Sequence, residues 1–426
     1  MTDYKRININ EGVDIISVKT NRFKTNEISI SFIAPLSEKT AASNALLAYL
    51  ISRTSRECPE VADFNRKLAM LYGASINAFV SKLGENQCIT LEASCLDDRF
   101  AMNGEKISCE LFEFLCRLVF DAKLDENGDF YKDDIEREKR LLIERIESEE
   151  NDKRVFALRR LESIMFEDEP YSVNRYGSIE SINAVTSANL KSSLEYLINN
   201  AKIQITVVGD ADIDAIANMA RSYFRSENRK YIAPCESVFK GVATDAKTVV
   251  DKMDVQQGKL VLGFRVNEKS EFESNPKMRL FNDVFGGGPY SKLFENVREK
   301  LSLCYYCSAR YDRRKSSVII QCGCEEENMD KAVSEILNQL EEIRKGNIDE
   351  ELNASKMAIS DLINSVNDDS ISLVNWYSSQ ICDKKILSPS ESAMENGSVS
   401  KDDIIGCAKL ISLDTVYKLV AKKEGE

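Results

Sequence analysis

The second half of this sequence repeats the order of predicted helices and strands of the first half, at an offset of about 230 residues. At this offset Thr90 falls on Ile320, and a predicted turn at 83–86 falls on 313–316. Identity between the halves is low, and the alternative is that any two domains mixing helices and strands share such an order. The repeat favours duplication, and it limits the fold to two similar lobes.

Each half combines strand patterns with helix patterns. Alternation of polar and apolar residues predicts strands at 4–9, 13–19, 27–34, 75–81, 87–94, 203–208, 259–266, 302–311, 317–323 and 415–421. Helical spacing predicts helices at 40–53, 61–71, 107–121, 187–198, 211–225, 276–285, 291–300, 327–345 and 349–367, with one or two more within 132–163 and an apolar segment at 371–382. Weak periodicity makes 226–245 the predicted linker. We therefore predict an α+β protein with lobes 1–230 and 231–426, each a mostly antiparallel sheet covered by helices, facing each other like a clam shell.

Histidine is absent from all 426 residues. Serine and cysteine nucleophiles of the triad type need an imidazole base, and zinc hydrolases use imidazole ligands to hold an open metal site. Paired carboxylates, a lysine of lowered pKa or a thiolate remain as options, but no motif in the sequence indicates any of them. The chain on its own is therefore not expected to be a working zinc peptidase.

The net charge and the distribution of apolar residues indicate which binding partners and which cellular compartment to expect for this chain. A net charge of −13 argues against a general nucleic-acid binder and against an anionic membrane surface. The first residues lack the apolar core of a signal peptide, and no stretch approaches the roughly 18 apolar residues that span a bilayer. Twelve cysteines without a secretion signal are typical of reduced thiols, so we expect a cytoplasmic protein.

The segment 286–305 carries the most specific motifs of the chain. It contains a glycine run, then Ser-Lys-Leu-Phe, Arg-Glu-Lys and Ser-Leu-Cys-Tyr. A phosphate-binding loop of the Walker type is not indicated, because these glycines follow a predicted helix instead of a strand. The segment resembles the C-terminal signature of the pitrilysin or insulinase-type metallopeptidases. In that family an Arg and a Tyr seven residues later contact the substrate backbone and stabilise the tetrahedral intermediate. Arg298 and Tyr305 have this spacing, and a guanidinium and a phenol are directed donors toward an oxyanion.

The same resemblance places the family's inverted zinc motif, His-x-x-Glu-His, on the helix predicted at 40–53. Asn44, Leu47 and Ala48 stand where the two histidine ligands and the glutamate base belong. This helix therefore offers neither metal ligation nor a proton acceptor for water.

The family's third zinc ligand is a Glu seven residues after another Glu on a downstream helix. Glu138 fits the earlier position, but Arg145 occupies the ligand position, where its charge repels a divalent cation and its side chain is able to fill the vacated space. Glu144 and Glu147 without imidazole would give only a weak oxygen site. The expectation is that this chain holds no metal or other cofactor, and that zinc is bound by a partner chain.

A second contact element is implied by the stretch 71–81, which resembles the family's Gly-Ala-x-x-Asn-Ala-x-Thr segment. That segment supplies an edge strand, and edge strands bind extended peptides through backbone hydrogen bonds. The resemblance implies Asn77, Ala78 and Phe79 as peptide-contact residues. The alternative for Asn77 is an ordinary polar residue on an exposed strand face.

Four cysteines lie on two predicted paired strands, at Cys304, Cys307, Cys322 and Cys324. A zinc knuckle needs tight turns that bring its sulfurs together, whereas Cys304 and Cys307 would point to opposite faces of a regular strand. Cys304 also takes the family's small Ala position. These residues are therefore interpreted as small buried side chains and not as a metal site.

The resemblance implies a non-catalytic, substrate-binding subunit of a two-component zinc peptidase, in which one chain supplies zinc and the other the Arg/Tyr pair. The expected partners are a zinc-bearing homologous subunit and an extended peptide, with a homodimer as a further option. The alternative is a peptidase-fold scaffold or binding protein without a proteolytic role. Within the superfamily the chain is most similar to degenerate Gram-positive members associated with aminopentanol modification of elongation factor P, which implies translation-factor modification as a setting. A hydrolase with new carboxylate chemistry has no motif behind it.

Overall fold

The computed structural model describes residues 4–225, 227, 229–241, 245–267 and 276–422. Its strands are β1 Tyr4–Asn10, β2 Val13–Lys19, β3 Thr25–Pro35, β4 Ser75–Leu83, β5 Asn86–Leu96, β6 Lys202–Gly209, β7 Lys247–Met253, β8 Gly258–Val266, β9 Tyr306–Asp312, β10 Ser317–Cys324 and β11 Ile411–Ala421. Its α-helices are α1 Ala41–Ile51, α2 Val61–Met70, α3 Ile107–Phe120, α4 Lys132–Asn151, α5 Lys153–Met165, α6 Ile179–Asn183, α7 Ser187–Asn199, α8 Ile213–Tyr223, α9 Pro276–Gly286, α10 Met329–Arg344, α11 Asp349–Ser365, α12 Ser370–Ser378, α13 Pro389–Gly397 and α14 Lys401–Leu410. The segment Phe294–Lys300 is a π-helix. Within the described part of the chain, no helix combines the length and the apolar character needed to cross a bilayer.

The chain divides into two compact units that are not continuous in sequence. The first contains Met1–Ile146, Val173–Glu236 and Ser365–Ser388, and the second contains Glu147–Ser172, Ser237–Asn364 and Pro389–Glu426. The predicted lobes 1–230 and 231–426 were continuous, whereas each compact unit takes one segment from the other half. The main boundary falls inside the predicted linker, of which residues 226, 228 and 242–244 lie outside the described residues.

The sheet of the first unit has the order β1-β2-β6-β3-β5-β4. Its neighbours are antiparallel except for β2 and β6, which run parallel. Strand β3 lies at the centre and is buried along nearly its whole length, which matches its almost continuous apolar and small residues. Strand β4 is at one edge, and α1 packs against β4, β5 and α7.

The sheet of the second unit repeats this arrangement with the order β7-β11-β8-β10-β9, and here too a single pair, β7 and β11, is parallel. Thr90 lies on β5 and Ile320 on β10, and the turns at 83–86 and 313–316 join equivalent hairpins. The predicted α+β class with two similar, mostly antiparallel lobes is therefore confirmed. Strand β7 was missed because its sequence, Lys-Thr-Val-Val-Asp-Lys-Met, is rich in polar residues and follows directly after the predicted linker.

The segment that each unit takes from the other half contains one complete α-helix, α12 in the first unit and α5 in the second. We call α5 and α12 the exchanged helices, and each covers one face of its sheet with apolar side chains. Helix α12 contributes Leu373, Val374 and Tyr377, all buried, to a cluster with β2 and β6. Helix α5 packs on β8 and β11, where a Cβ on Gly263 would lie 2.5 Å from Met165 Sδ. A glycine at this strand position therefore lets the helix approach the sheet. Because each buried large apolar side chain contributes about 1.5–3 kcal/mol, these contacts hold each segment on its sheet.

A buried ion network fixes the chain that follows α5. Both carboxylate oxygens of Glu169 are used, one accepting from Arg265 Nη1 at 3.1 Å and the other from Lys315 Nζ at 2.5 Å. Arg265 also donates from Nε to Asp414 at 2.8 Å. The side chains of Glu169 and Lys315 are fully buried, and that of Arg265 is nearly so. The network joins residues from α5's segment, β8, the β9–β10 turn and β11 within the second unit.

Candidate functional site

Helix α1 is buried on every side, because its sequence Ala-Ala-Ser-Asn-Ala-Leu-Leu-Ala-Tyr-Leu-Ile is apolar or small all round. Asn44, Leu47 and Ala48 lie on this helix with at most 3% of their surface exposed. Leu47 and Ala48 belong to the apolar core of the first unit. The positions predicted to correspond to the family's two imidazoles and carboxylate therefore carry neutral side chains, which avoids burying a charge without a partner.

Asn44 is held by a neutral amide network. Its Nδ2 donates to Gln87 Oε1 at 2.9 Å, and both side chains are buried. Gln87, on β5, donates in turn to the carbonyl oxygens of Ala41 at 2.9 Å and Arg175 at 2.6 Å. The network satisfies the buried amide groups with one another and with backbone, so it fixes α1 on β5 without any charged group.

Replacing Asn44 by alanine is expected to destabilise the chain by about 1–3 kcal/mol, because Gln87 Oε1 loses its donor inside the core. Asn338→Ala is the matched control: Asn338 is exposed on α10, and its substitution is expected to change stability by no more than about 0.5 kcal/mol. Urea unfolding of the two variants measures the difference. Equal stability of the two variants would show that the amide network does not hold α1.

Arg145 reaches back from α4 to α1. Its guanidinium donates to the hydroxyl of Tyr49 and lies 4.5 Å from the centre of the Tyr49 ring. Burial and the neighbouring Tyr176 raise the pKa of Tyr49 above its ordinary value. Burial opposes ionisation of Tyr176 as well, but Arg175 and hydrogen bonds from Tyr49 and Arg145 leave the pKa of Tyr176 lowered. The side chain predicted to stand at the third zinc-ligand position thus pairs with phenols.

The remaining carboxylates of α4 do not rebuild a metal site. Glu138 is buried and lies 3.4 Å from Arg53 Nε and 3.2 Å from Arg137 Nε, so it is used in ion pairs. In the part of the chain that the structure describes, Glu138, Glu144 and Glu147 belong to no group of three close metal-ligating side chains.

The segment that carries the Arg/Tyr pair is folded tightly. Arg298 lies in the π-helix, and π-turns occur frequently at functional sites. The chain then reverses at Ser302, whose φ is 50°, and Leu303 N donates to Val297 O at 3.0 Å. Tyr305 follows, with its backbone N donating to Gly323 O at 2.8 Å. The π-helix that carries Arg298 is therefore tied to the turn, and Tyr305 is tied to β10, immediately before edge strand β9.

The side chains of the pair are accessible. Tyr305 is 61% exposed, and its hydroxyl donates to Glu325 Oε1 at 3.2 Å. The Arg298 side chain is 40% exposed, its guanidinium lying 4.6 Å from the centre of the Phe294 ring and its Nε 3.5 Å from Glu299. Two directed donors thus lie at the surface of the second unit, Tyr305 beside the carboxylate of Glu325 and Arg298 beside that of Glu299.

The predicted peptide-contact residues lie on β4, at the edge of the first sheet. Asn77 is exposed, Ala78 is half-buried, and Phe79 is 49% exposed. On the inner side β4 pairs with β5, with Asn77 opposite Glu92 and Phe79 opposite Thr90. The outer side of β4 is open to backbone pairing among the described strands, which is the geometry needed for addition of an extended peptide.

The four cysteines are arranged differently from the prediction. Strand β9 begins at Tyr306, so Cys304 lies before it and is turned inward by the reversal at Ser302. The expectation that Cys304 and Cys307 point to opposite faces is wrong, because the Sγ atoms of Cys304, Cys307 and Cys322 all lie within 4.8 Å of one another. Sequence reasoning missed this group because it extended the strand to residue 302. The prediction that these thiols are buried is confirmed.

Comparisons with known proteins agree with this geometry. Residues 184–358 match the family model described as Peptidase M16 inactive domain. Over 410 residues the chain is 30% identical to the "Probable inactive metalloprotease YmfF" of Bacillus subtilis, with 96% of each chain covered. A solved structure of a conserved protein from Enterococcus faecalis aligns with a TM-score of 0.89 at 24% identity, over 99% of this chain and 100% of that chain. A peptidase M16 inactive domain from Pseudomonas fluorescens aligns with a TM-score of 0.79 at 15% identity, over 100% of both chains.

Proposed function

The chain belongs to the peptidase M16 family, and we propose that it is the substrate-binding subunit of a two-component zinc peptidase. Its partner would be a homologous chain that keeps the zinc motif. The observation that carries the proposal is the contrast between the two motif regions: the residues of α1 are neutral and buried, whereas Arg298 and Tyr305 are exposed, one in the π-helix and the other just after it.

The division of labour follows from what each group is able to do. A zinc peptidase needs a metal-bound water, a base and donors toward the oxyanion of the tetrahedral intermediate. Asn44, Leu47 and Ala48 supply neither of the first two. A guanidinium and a phenol supply the donors toward the oxyanion. They act best when the site excludes water and places them about 3 Å from the developing oxyanion.

Substrate binding would use the edge of the first sheet. An extended peptide adding to β4 forms backbone hydrogen bonds that do not depend on its sequence, and Asn77 and Phe79 contact its side chains. Arg298 and Tyr305, before edge strand β9, would contact a peptide carbonyl held at the partner's zinc. The acidic chain as a whole, with net charge −13, favours peptides that carry basic residues.

Mixing the purified chain with the zinc-bearing homologue from the same genome tests the proposal. Peptide hydrolysis is expected only from the mixture, and it should vanish when a chelator removes zinc. The measurement is cleavage of a library of short fluorogenic peptides by each chain alone and by the two together.

The control uses the homologue alone at the same zinc concentration, which separates activation by this chain from stabilisation of the metal. Chelator-sensitive hydrolysis by the isolated chain would refute the proposal, since it would require zinc ligands that α1 and α4 do not offer. Full activity of the homologue alone, unchanged by this chain, would refute it too.

A further inference from the structure

A compact group of thiols lies under the turn that carries Tyr305. Cys307 on β9 is directly opposite Cys322 on β10. Cys324 follows two residues later on the same face of β10, and Cys304 closes the group from the turn. At most 8% of the surface of any of the four is exposed, and none of the protein's twelve cysteines forms a disulfide in the structure.

From this arrangement we propose that Cys304, Cys307 and Cys322 bind one thiophilic d10 metal ion, Cu(I) with three sulfur ligands or Zn(II) with Cys324 as the fourth. Thiolates about 2.3 Å from a tetrahedral zinc ion lie about 3.8 Å apart, so sulfurs already within 4.8 Å need to move by only about 1 Å. Soft thiolate ligands select Cu(I) and Zn(II) over magnesium, calcium or manganese.

Positive charges lie near the thiol group, and the first is the guanidinium of Arg298, near Cys304. Lys259 adds a positive charge near Cys324. A metal bound to three or four thiolates carries a net negative charge, which these cations offset.

Hydrogen bonds connect the residues around the thiol group to the turn that carries Tyr305. Tyr305, next to Cys304, is attached through its backbone N to Gly323 and through its hydroxyl to Glu325, and these two residues flank Cys324. A metal ion joining Cys304 to β10 would therefore also fix Tyr305. The site is independent of whether Tyr305 contacts a substrate.

Titration of the reduced, full-length protein with Cu(I) and, separately, with Zn(II), each against a chromophoric competitor under anaerobic conditions, tests the site. One equivalent is expected to bind, with sulfur-to-metal charge-transfer absorption. Cys322→Ala is expected to weaken binding by more than the ~10- to 100-fold that loss of an outer-shell partner costs. Cys324→Ala is expected to weaken Zn(II) binding and to leave Cu(I) binding unchanged, which distinguishes the two ions.

Cys116→Ala is the matched control, because Cys116 is equally buried but lies on α3 in the first unit. It should bind the metal like the parent protein. X-ray absorption of the loaded parent protein needs no variant and should show only sulfur neighbours, at about 2.3 Å for zinc. Nitrogen or oxygen neighbours, or a Cys322→Ala variant that binds as tightly as the parent, would overturn the proposal.

Discussion

Arg298→Ala is expected to lower kcat/KM of the assembled complex by about 10²- to 10³-fold, the usual effect of removing one oxyanion donor. The loss should appear mainly in kcat, because a donor aimed at the tetrahedral intermediate acts more strongly on the transition state than on the bound peptide. Arg298→Lys is expected to recover only part of the activity, since an ammonium lacks the planar, directed donors of a guanidinium.

Lys300→Ala is the matched control for this experiment. Lys300 ends the same π-helix, its side chain is 67% exposed, and its substitution removes the same charge. Arg298→Ala and Lys300→Ala should both assemble with the partner like the parent chain, as measured by sedimentation. Unchanged activity of the assembled Arg298→Ala complex would contradict the substrate-binding role and favour a scaffold without a proteolytic role.

Tyr305→Phe provides an independent measure of the same pair. It removes only the hydroxyl, which in the isolated chain donates to Glu325, so the turn itself should keep its backbone hydrogen bond to Gly323. A fall in kcat smaller than that of Arg298→Ala is expected, because a neutral donor stabilises an oxyanion less than a charged one.

The fold was predictable where the pattern is local. Strands such as β3 and β5 have alternating or continuous apolar residues, and the duplicated hairpin turns fix the register of β4 with β5 and of β9 with β10. Asp152 separates α4 from α5 by accepting hydrogen bonds from Arg154 N and Val155 N, a capping signal visible in the sequence as Asn-Asp before a helical run. Strand β7 was lost because its exposed Lys and Asp residues are typical of an edge strand and of a linker alike.

The exchange of α5 and α12 could not be predicted in the same way. Both helices show an apolar face, but which sheet that face covers depends on residues far apart in sequence, such as Leu373 and Val18, which belong to one apolar cluster. The spacing of residues within each helix does not indicate which sheet the helix covers. Asn44 and Arg145 were singled out by family resemblance, whereas the side chains that bond to them, Gln87 and Tyr176, come from β5 and from the chain before α6.

The grouping of the thiols could not be predicted from the sequence either, although Cys304 and Cys307 are close together in the chain. The residues Ser302 to Tyr306 alternate well enough to predict a strand. A positive φ at Ser302, for which a serine gives no signal, ends that pattern and turns Cys304 inward. The Arg/Tyr spacing, in contrast, was a seven-residue motif that the sequence carried without reference to the fold.

Glu169→Gln is expected to destabilise the second unit by about 3–5 kcal/mol, the usual effect of removing one partner from a buried ion pair. Arg265 keeps Asp414, but Lys315, whose side chain is completely buried, loses the carboxylate at 2.5 Å. Asp168→Asn is the matched control, since that neighbouring side chain is 86% exposed and its ion pair with Lys240 contributes no more than about 1 kcal/mol. Urea unfolding followed by circular dichroism measures both variants.

A double variant decides whether the loss comes from a buried cation that has lost its carboxylate. Lys315→Met in the Glu169→Gln background removes the cation whose carboxylate partner the single variant has neutralised, so stability should rise above that of Glu169→Gln alone. Arg265 then remains paired with Asp414, and the methionine occupies the space near Phe166 and Tyr171 that the lysine stem filled. If instead the two substitutions add, the network acts through packing and not through charge. If Glu169→Gln is as stable as Asp168→Asn, the segment after α5 is held by the apolar contacts of α5 alone.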